Sequence, residues 1–227
     1  LGRTDPIPRA LACDGVIFDL DGTLADALED VSDAMNHALR EEHVPEHDYA
    51  EYRLLIGRGI RNLVVDTLPR ERRDDETIAR CYERMVAYYG EHVLDKTRLY
   101  DGVAEMLAGL RAARVRLAVL SNKADDLTRR VVDGLVGAGV FDVVAGARPG
   151  IPLKPDPAGA LLVGERLGIA PGRTAYVGDS GIDMLTGRRA GMIAVGVTWG
   201  LRERAELLEN GADAVIDHPR ELLELRA

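Results

Sequence analysis

The sequence predicts an α/β protein built on a doubly wound parallel sheet, with an all-helical segment inserted after its first strand. Short apolar runs at residues 16–19, 117–120, 143–146, 174–177, 193–197 and 214–216 are separated, from about residue 98 onward, by amphipathic stretches. That alternation is the pattern of a parallel sheet covered by helices on both faces. Between residues 27 and 97 no strand-like run occurs, and apolar residues recur at helical spacing, as at Val31, Met35, Ala38 and Leu39, or at Met85, Val86 and Tyr89. The length of 227 residues exceeds one typical domain and falls short of two. Residues 1–26 and 98–227 are therefore expected to form the core domain, and residues 27–97 a helical second domain.

The first strand, Val16-Ile17-Phe18, ends in Asp19 and Asp21, followed by a Gly22-Thr23 turn. Open α/β sheets bind ligands at the C-terminal ends of their strands. Two acids there cannot be buried as an unpaired doublet without a cation or a proton to offset them. In the helical segment, Gly57-Arg58-Gly59 reads either as a turn between helices or as a loop whose amides and Arg58 reach a substrate carboxylate; the second is the expectation taken forward. The charged run at residues 70–76 reads as a solvated turn. The strand at 117–120 leads into Ser121-Asn122-Lys123 at an expected helix start, where free N–H groups and a hydroxyl suit an anion. Lys123 would lie unfavourably to the helix dipole and is expected to point to solvent. Lys154 sits on a loop stiffened by Pro155 and Pro157. The strand at 174–177 delivers Asp179 and Asp183, four residues apart on one helix face. Trp199 reads equally as packing or as substrate-facing, and the five His match no ligand spacing.

The chain carries 38 acidic and 29 basic residues, a net charge of −9. This disfavours nucleic acid or an anionic membrane as partner. Cys13 and Cys81 lie in no metal-like spacing, and neither a signal peptide nor an 18-residue apolar run is present. The expectation is a soluble, cytoplasmic protein, monomeric or homodimeric. Only three of the 29 basic residues are Lys, at 96, 123 and 154, so a Lys in a motif stands out.

Asp19, Asp21, Asp179 and Asp183 would together carry four negative charges. Mg²⁺, a hard, oxygen-ligated cation, offsets such a set and leaves one carboxylate free to act. A carboxylate approaching a phosphoryl dianion at about 4 Å meets a repulsion of roughly 4 kcal/mol per charge pair at an effective dielectric near 20. Mg²⁺ and Lys154 would cancel it. These are the parts for nucleophilic phosphoryl transfer to a carboxylate, with a second carboxylate as acid and base.

In these four motifs and their order the chain resembles the haloacid dehalogenase-type hydrolase superfamily, whose Rossmann-like core carries a helical C1 cap. The resemblance implies that Asp19 is the nucleophile and Asp21 the acid and base. It implies that Gly22, Ser121, Asn122 and Lys154 hold phosphate, and that Mg²⁺ is bound by the Asp19 carboxylate, the Asp21 backbone carbonyl and Asp179, with Asp183 acting indirectly. Residues 27–97 correspond to the cap that excludes water. An acid at Asp21 protonates an alkoxide, which argues against carbon–halogen or carbon–phosphorus cleavage. Ile56-Gly57-Arg58-Gly59-Ile60, Ser121-Asn122-Lys123, Lys154-Pro155-Asp156-Pro157 and the stretch from Gly187 to Gly200 are similar to phosphoglycolate phosphatases, although Ala27 and Asp101 depart from the usual Ser and Pro. The implied substrate is a small anionic phosphorylated metabolite, 2-phosphoglycolate first, with Arg58 and Gly59 as specificity residues. The rivals are a sugar-phosphate mutase or a pyrophosphatase on the same fold, and, from other classes, a phosphoacceptor signalling module or a non-catalytic binding protein.

Overall fold

The run Val16-Ile17-Phe18 has no polar atom outside its backbone and is completely buried, which requires ladder partners on both sides and cover on both faces. The computed structural model describes residues 13–224, so the first twelve residues of the expected core segment 1–26 lie outside the described residues. In chain order the elements are β1 (Gly15–Phe18), β2 (Ala25–Asp26), α1 (Leu28–Glu41), α2 (Tyr49–Leu55), α3 (Ile60–Thr67), α4 (Asp75–His92), β3 (Arg98–Leu99), α5 (Val103–Ala112), β4 (Arg116–Ala124), α6 (Asp125–Val136), β5 (Val143–Ala147), α7 (Ala158–Leu167), β6 (Thr174–Gly178), α8 (Gly181–Arg189), β7 (Ile193–Val197), α9 (Arg204–Glu209), β8 (Ala214–Ile216) and α10 (Glu221–Glu224).

Six strands form one parallel sheet in the order β5-β4-β1-β6-β7-β8. The chain winds outward from β1 through β4 to β5, then returns to the other side of β1 for β6, β7 and β8. The strand order therefore reverses between β1 and β6, the place where a doubly wound sheet opens a crevice for a ligand. Asp19 follows β1 and Asp179 follows β6, so topology alone brings two of the predicted acids to this point.

Helices α1 to α4 lie between β2 and β3, which pair antiparallel and carry the chain out of the core and back. The apolar stripe of α1 behaves as its spacing predicts, with Val31, Met35, Ala38 and Leu39 all buried. Asp30 ties the outgoing chain to the returning one: its carboxylate accepts from the N–H of Lys96 and Thr97 and from the Thr97 hydroxyl, at 2.7–3.1 Å.

The charged run at 70–76 is more than a solvated turn. It contains a short 3-10 turn (Arg70–Arg72), and Asp74 caps α4 by accepting from the Thr77 N–H at 2.9 Å. Arg72 reaches Glu42, just past the end of α1, where Arg80 (3.0 Å) and Arg84 from α4 also converge. The Glu42 side chain is only 6% exposed. Hydrogen bonding from Arg80 holds its carboxyl below the usual glutamate range, against the opposing effect of burial.

Replacing Glu42 with Ala is expected to remove about 2 kcal/mol of stability, a fall of roughly 4–8 °C in Tm at pH 7. Because the folded carboxyl titrates below the ordinary 4.5, its contribution is present above that pH and fades as pH falls below it. Thermal melts of the two proteins should converge in acid; equal Tm values at pH 7 would show that the arginine cluster contributes nothing.

Candidate active site

Asp19 continues the β1–β6 ladder by one residue, donating its N–H to Val177 O at 2.9 Å. Both hydrogen bonds to its side chain fall on Oδ1, one from the Leu20 N–H (2.7 Å) and one from Lys154 Nζ (2.8 Å). Oδ2 is the oxygen left for other chemistry. Lys154 Nζ also donates to Asp183 Oδ1 at 2.7 Å, and its side chain is 3% exposed. Burial opposes the charge on Lys154, but the Asp183 and Asp19 carboxylates outweigh it and raise its pKa well above the usual lysine value. This lysine remains an ammonium.

Asp183 belongs to a capping box at the start of α8: Ser180 Oγ and N–H both approach Asp183 Oδ2, while the Asp183 N–H donates back to Ser180. With Oδ1 on Lys154 and Oδ2 on Ser180, both oxygens are engaged. Asp179 accepts the Leu201 N–H (2.8 Å) on Oδ2 and the Thr23 hydroxyl (3.3 Å) on Oδ1. Carboxylate oxygens of Asp19, Asp179 and Asp183 lie within 4.8 Å of one another, all buried. Burial, the Asp183 charge and the Asp179 charge push Asp19 well above the ordinary aspartate value despite Lys154. Burial, followed by the Asp183 charge, pushes Asp179 up to about 7. One ammonium does not balance three crowded carboxylates, so the cluster has the donor set and the charge deficit that fit a divalent, oxygen-seeking cation.

Two glycines make this crowding possible. Gly22 has φ +90°, and a Cβ there would stand 2.3 Å from Asp179 Oδ2. A Cβ on Gly200 would stand 2.2 Å from the Gly22 carbonyl oxygen and 2.4 Å from Asp179 Cβ. The Gly22 N–H is already donated to Ala25 O at 2.9 Å. Its amide is thus spent on the turn, and the expectation that Gly22 binds phosphate is corrected to one of close approach to Asp179.

The second motif also differs from its sequence reading. Strand β4 runs on to Ala124 with a register irregularity after Leu120, and α6 starts only at Asp125. Ser121 and Asn122 are therefore strand residues and not helix caps. Asn122 Nδ2 donates to Gly57 O and Lys154 O (3.1 Å each), and its Oδ1 accepts the Lys154 N–H (2.8 Å). Lys123 does not point to solvent: it is buried, and its Nζ donates to Asp21 Oδ1 at 2.6 Å and to Tyr89 Oη at 2.7 Å.

Asp19, Asp21, Ser121, Asn122 and Lys123 line one cavity of about 40 Å³ free volume. Its opposite wall comes from the inserted helices and is mainly apolar, with Val31, Ile56, Ile60, Leu63, Met85 and Tyr89. Gly57 and Gly59 border it as well. Arg58 does not; it turns outward to Asp66 (3.4 Å), with its side chain 56% exposed. Trp199 packs on the first motif, its indole N–H donating to Thr23 O at 2.9 Å. Among the described residues no helix is long and apolar enough to cross a membrane.

The comparisons with known proteins agree with this geometry. The family described as haloacid dehalogenase-like hydrolase matches residues 16–197. A phosphoglycolate phosphatase of Chromobacterium violaceum is 34% identical over 214 residues, spanning 92% of this chain and 95% of that protein. The crystal structure of a predicted phosphoglycolate phosphatase from Haemophilus somnus superposes with a TM-score of 0.88 at 26% identity, covering 95% of this chain and 99% of the other. That of CbbY from Rhodobacter sphaeroides in complex with phosphate gives 0.74 at 26% identity, over 92% and 96%. The chain belongs to the haloacid dehalogenase-like hydrolases. Within them it is a phosphatase.

The Gly200 contact can be tested directly. Gly200→Ala should push the first loop away from Asp179, cutting phosphate release at least tenfold and costing about 1–3 kcal/mol of stability. Steady-state turnover and a thermal melt read the two effects, and wild-type turnover would show that the loops accommodate a methyl group.

Proposed function

We propose that this phosphatase is Mg²⁺-dependent and hydrolyses a small anionic phosphomonoester, with 2-phosphoglycolate as the first substrate to test. The observation that carries the reading is that Asp19, pinned through Oδ1 by Lys154, and Asp21, pinned through Oδ1 by Lys123, border the same narrow cavity. The name of the Chromobacterium relative supports the substrate.

In this reading Asp19 Oδ2 attacks phosphorus while the ester P–O bond breaks, and the Asp21 carboxyl gives its proton to the departing oxygen. Asp21 then takes a proton from water as the water oxygen attacks phosphorus. The P–O bond to Asp19 breaks, and inorganic phosphate leaves. Lys154 offsets phosphoryl charge and holds Asp19 in line, while Asp183 holds Lys154. Ser121 and Asn122 line the same cavity on the phosphoryl side. The Asp19 and Asp179 carboxylates and the Asp21 carbonyl would hold Mg²⁺, with Asp183 taking an indirect part through Lys154. When bound, that ion supplies charge neutralisation and orientation of phosphoryl oxygens.

Residues 27–97 act here as a cap over the core, whose described residues are 13–26 and 98–224, with the apolar wall excluding water from the phosphoenzyme. The cap's contribution at the cavity edge is assigned to Gly57, Gly59 and Tyr89. Arg58, turned outward, has no place in it.

Phosphate release should be metal-dependent and strongest on 2-phosphoglycolate in a panel with sugar phosphates, pyrophosphate and nucleoside monophosphates, and Asp19→Asn should retain less than about one thousandth of it. Preference for another ester would keep the chemistry and discard the substrate. A phosphoenzyme that returns its phosphoryl group to sugar without releasing phosphate would make the protein a mutase.

The raised Asp179 value sets the sign of the metal response. Without the cation the folded cluster keeps a proton that an unfolded chain releases near pH 4, so the metal-free fold loses stability as pH rises through about 7. Mg²⁺ must displace that proton, so its affinity rises over the same interval. The gain in Tm on adding Mg²⁺ should be larger at pH 8 than at pH 5.5; a gain independent of pH would refute binding at this cluster.

A further inference from the structure

Lys123 is the site's second buried ammonium, and the steps above give it no part beyond its contact with Asp21. Its side chain is 4% exposed. Nζ donates to Asp21 Oδ1 at 2.6 Å and to Tyr89 Oη at 2.7 Å, and stands 5.0 Å from the centre of the Tyr89 ring. Tyr89 comes from α4 and is 1% exposed. The contact therefore joins three separate parts of the fold: the loop after β1, strand β4 and the helical insertion.

We propose that Lys123 and Tyr89 are positioning residues for Asp21, fixing Oδ1 so that Oδ2 is the oxygen that trades the proton, and making this alignment depend on α4 standing over the core. The inference rests on the reading of Asp21 as acid and base. An aspartate side chain has two rotatable bonds, and Asp21 Oδ1 has one side-chain donor among the described residues, Lys123. Lys154 cannot substitute, because its contacts go to Asp19 and Asp183. Tyr89 in turn holds Nζ from the cavity's far wall. In the first step the proton passes from Asp21 Oδ2 to the ester oxygen as that oxygen leaves phosphorus. In the second it passes from water to Oδ2 as the water oxygen bonds to phosphorus and the bond from phosphorus to Asp19 Oδ2 breaks. Lys123 keeps all its protons throughout.

Leaving-group dependence distinguishes this role from a structural or substrate-binding one. An alkoxide must be protonated as it departs, whereas the acetate released from acetyl phosphate need not be. The measurement is kcat/KM, which reports steps through phosphoenzyme formation, for 2-phosphoglycolate (or the best ester of the panel) and for acetyl phosphate. Lys123→Met should lose about 100-fold on the ester and less than about threefold on acetyl phosphate. Tyr89→Phe, which removes one oxygen and preserves shape, should lose about tenfold on the ester with acetyl phosphate unchanged and KM within about twofold. Equal losses on both substrates, a loss confined to KM, or wild-type values for Tyr89→Phe on the ester would overturn the proposal. Asp21→Asn serves as the reference: if it lacks the selective loss, the acid–base reading itself has failed. If it shows the loss and Lys123→Met does not, only the positioning role has.

Discussion

The buried ammonium of Lys154, held between Asp19 and Asp183, is the interaction around which the site is arranged. Without it three buried carboxylates would face one another at the end of the sheet, an arrangement that desolvation and mutual repulsion both oppose. Its reach is set by backbone placement. The Lys154 N–H donates to Asn122 Oδ1 and its carbonyl accepts from Asn122 Nδ2, so the side chain of the second motif fixes the loop of the third. Asp183 is fixed by its own capping box. The lysine therefore meets its partners with little side-chain freedom left to lose on ordering.

The same constraint explains the glycines. Parallel pairing of β1 with β6 places Asp19 beside the strand that leads to Asp179, and adjacent strands lie only about 4.8 Å apart. Loops leaving such neighbours must pass almost in contact if their acids are to share one cation. Gly22 and Gly200 meet that demand by offering no Cβ where Asp179 and the Gly22 carbonyl stand. Substitution at either is thus a matter of site geometry before it is a matter of backbone preference.

Much of this was legible in the sequence because the signals are local. Apolar runs mark five of the six sheet strands to within a residue or so, and the spacing of Val31, Met35, Ala38 and Leu39 marks a buried helix face. Asp19, Asp21 and Asp179 follow strand ends, Lys154 sits on a stiff loop and Asp183 in the first turn of a helix, places that residue type and local pattern report. Lys123 was misread because its assignment to a helix start invoked the dipole, whereas β4 continues through it and α6 begins two residues later. Its true partners, Asp21 and Tyr89, are 102 and 34 residues away in the chain, and no periodicity reports such pairings. Arg58 was attractive for its charge, but flanking glycines say only that the backbone turns there, not which way the side chain leaves it. Glu42, one acid within a charged sequence, gave no hint that three arginines would enclose it.

The inserted helices are joined to the core very differently at their two edges. At the β2–β3 edge the chain itself crosses twice, and Asp30 binds the returning strand through two N–H groups and a hydroxyl shielded from water. At the opposite edge, beside the buried Lys123–Tyr89 contact, the ties are polar contacts to carbonyl oxygens. Asn122 donates to Gly57 O, Arg53 to Gly200 O, and Arg202 to the carbonyls of Arg53, Leu54 and Ile56 at the end of α2. Water replaces a hydrogen bond of this kind at a net cost of only about 0.5–1.5 kcal/mol. The shielded edge has no comparable substitute, because opening it would strand a buried carboxylate. Separation along the cavity edge would exchange those carbonyl contacts for water, and it would uncover Asp19 and part Tyr89 from Lys123.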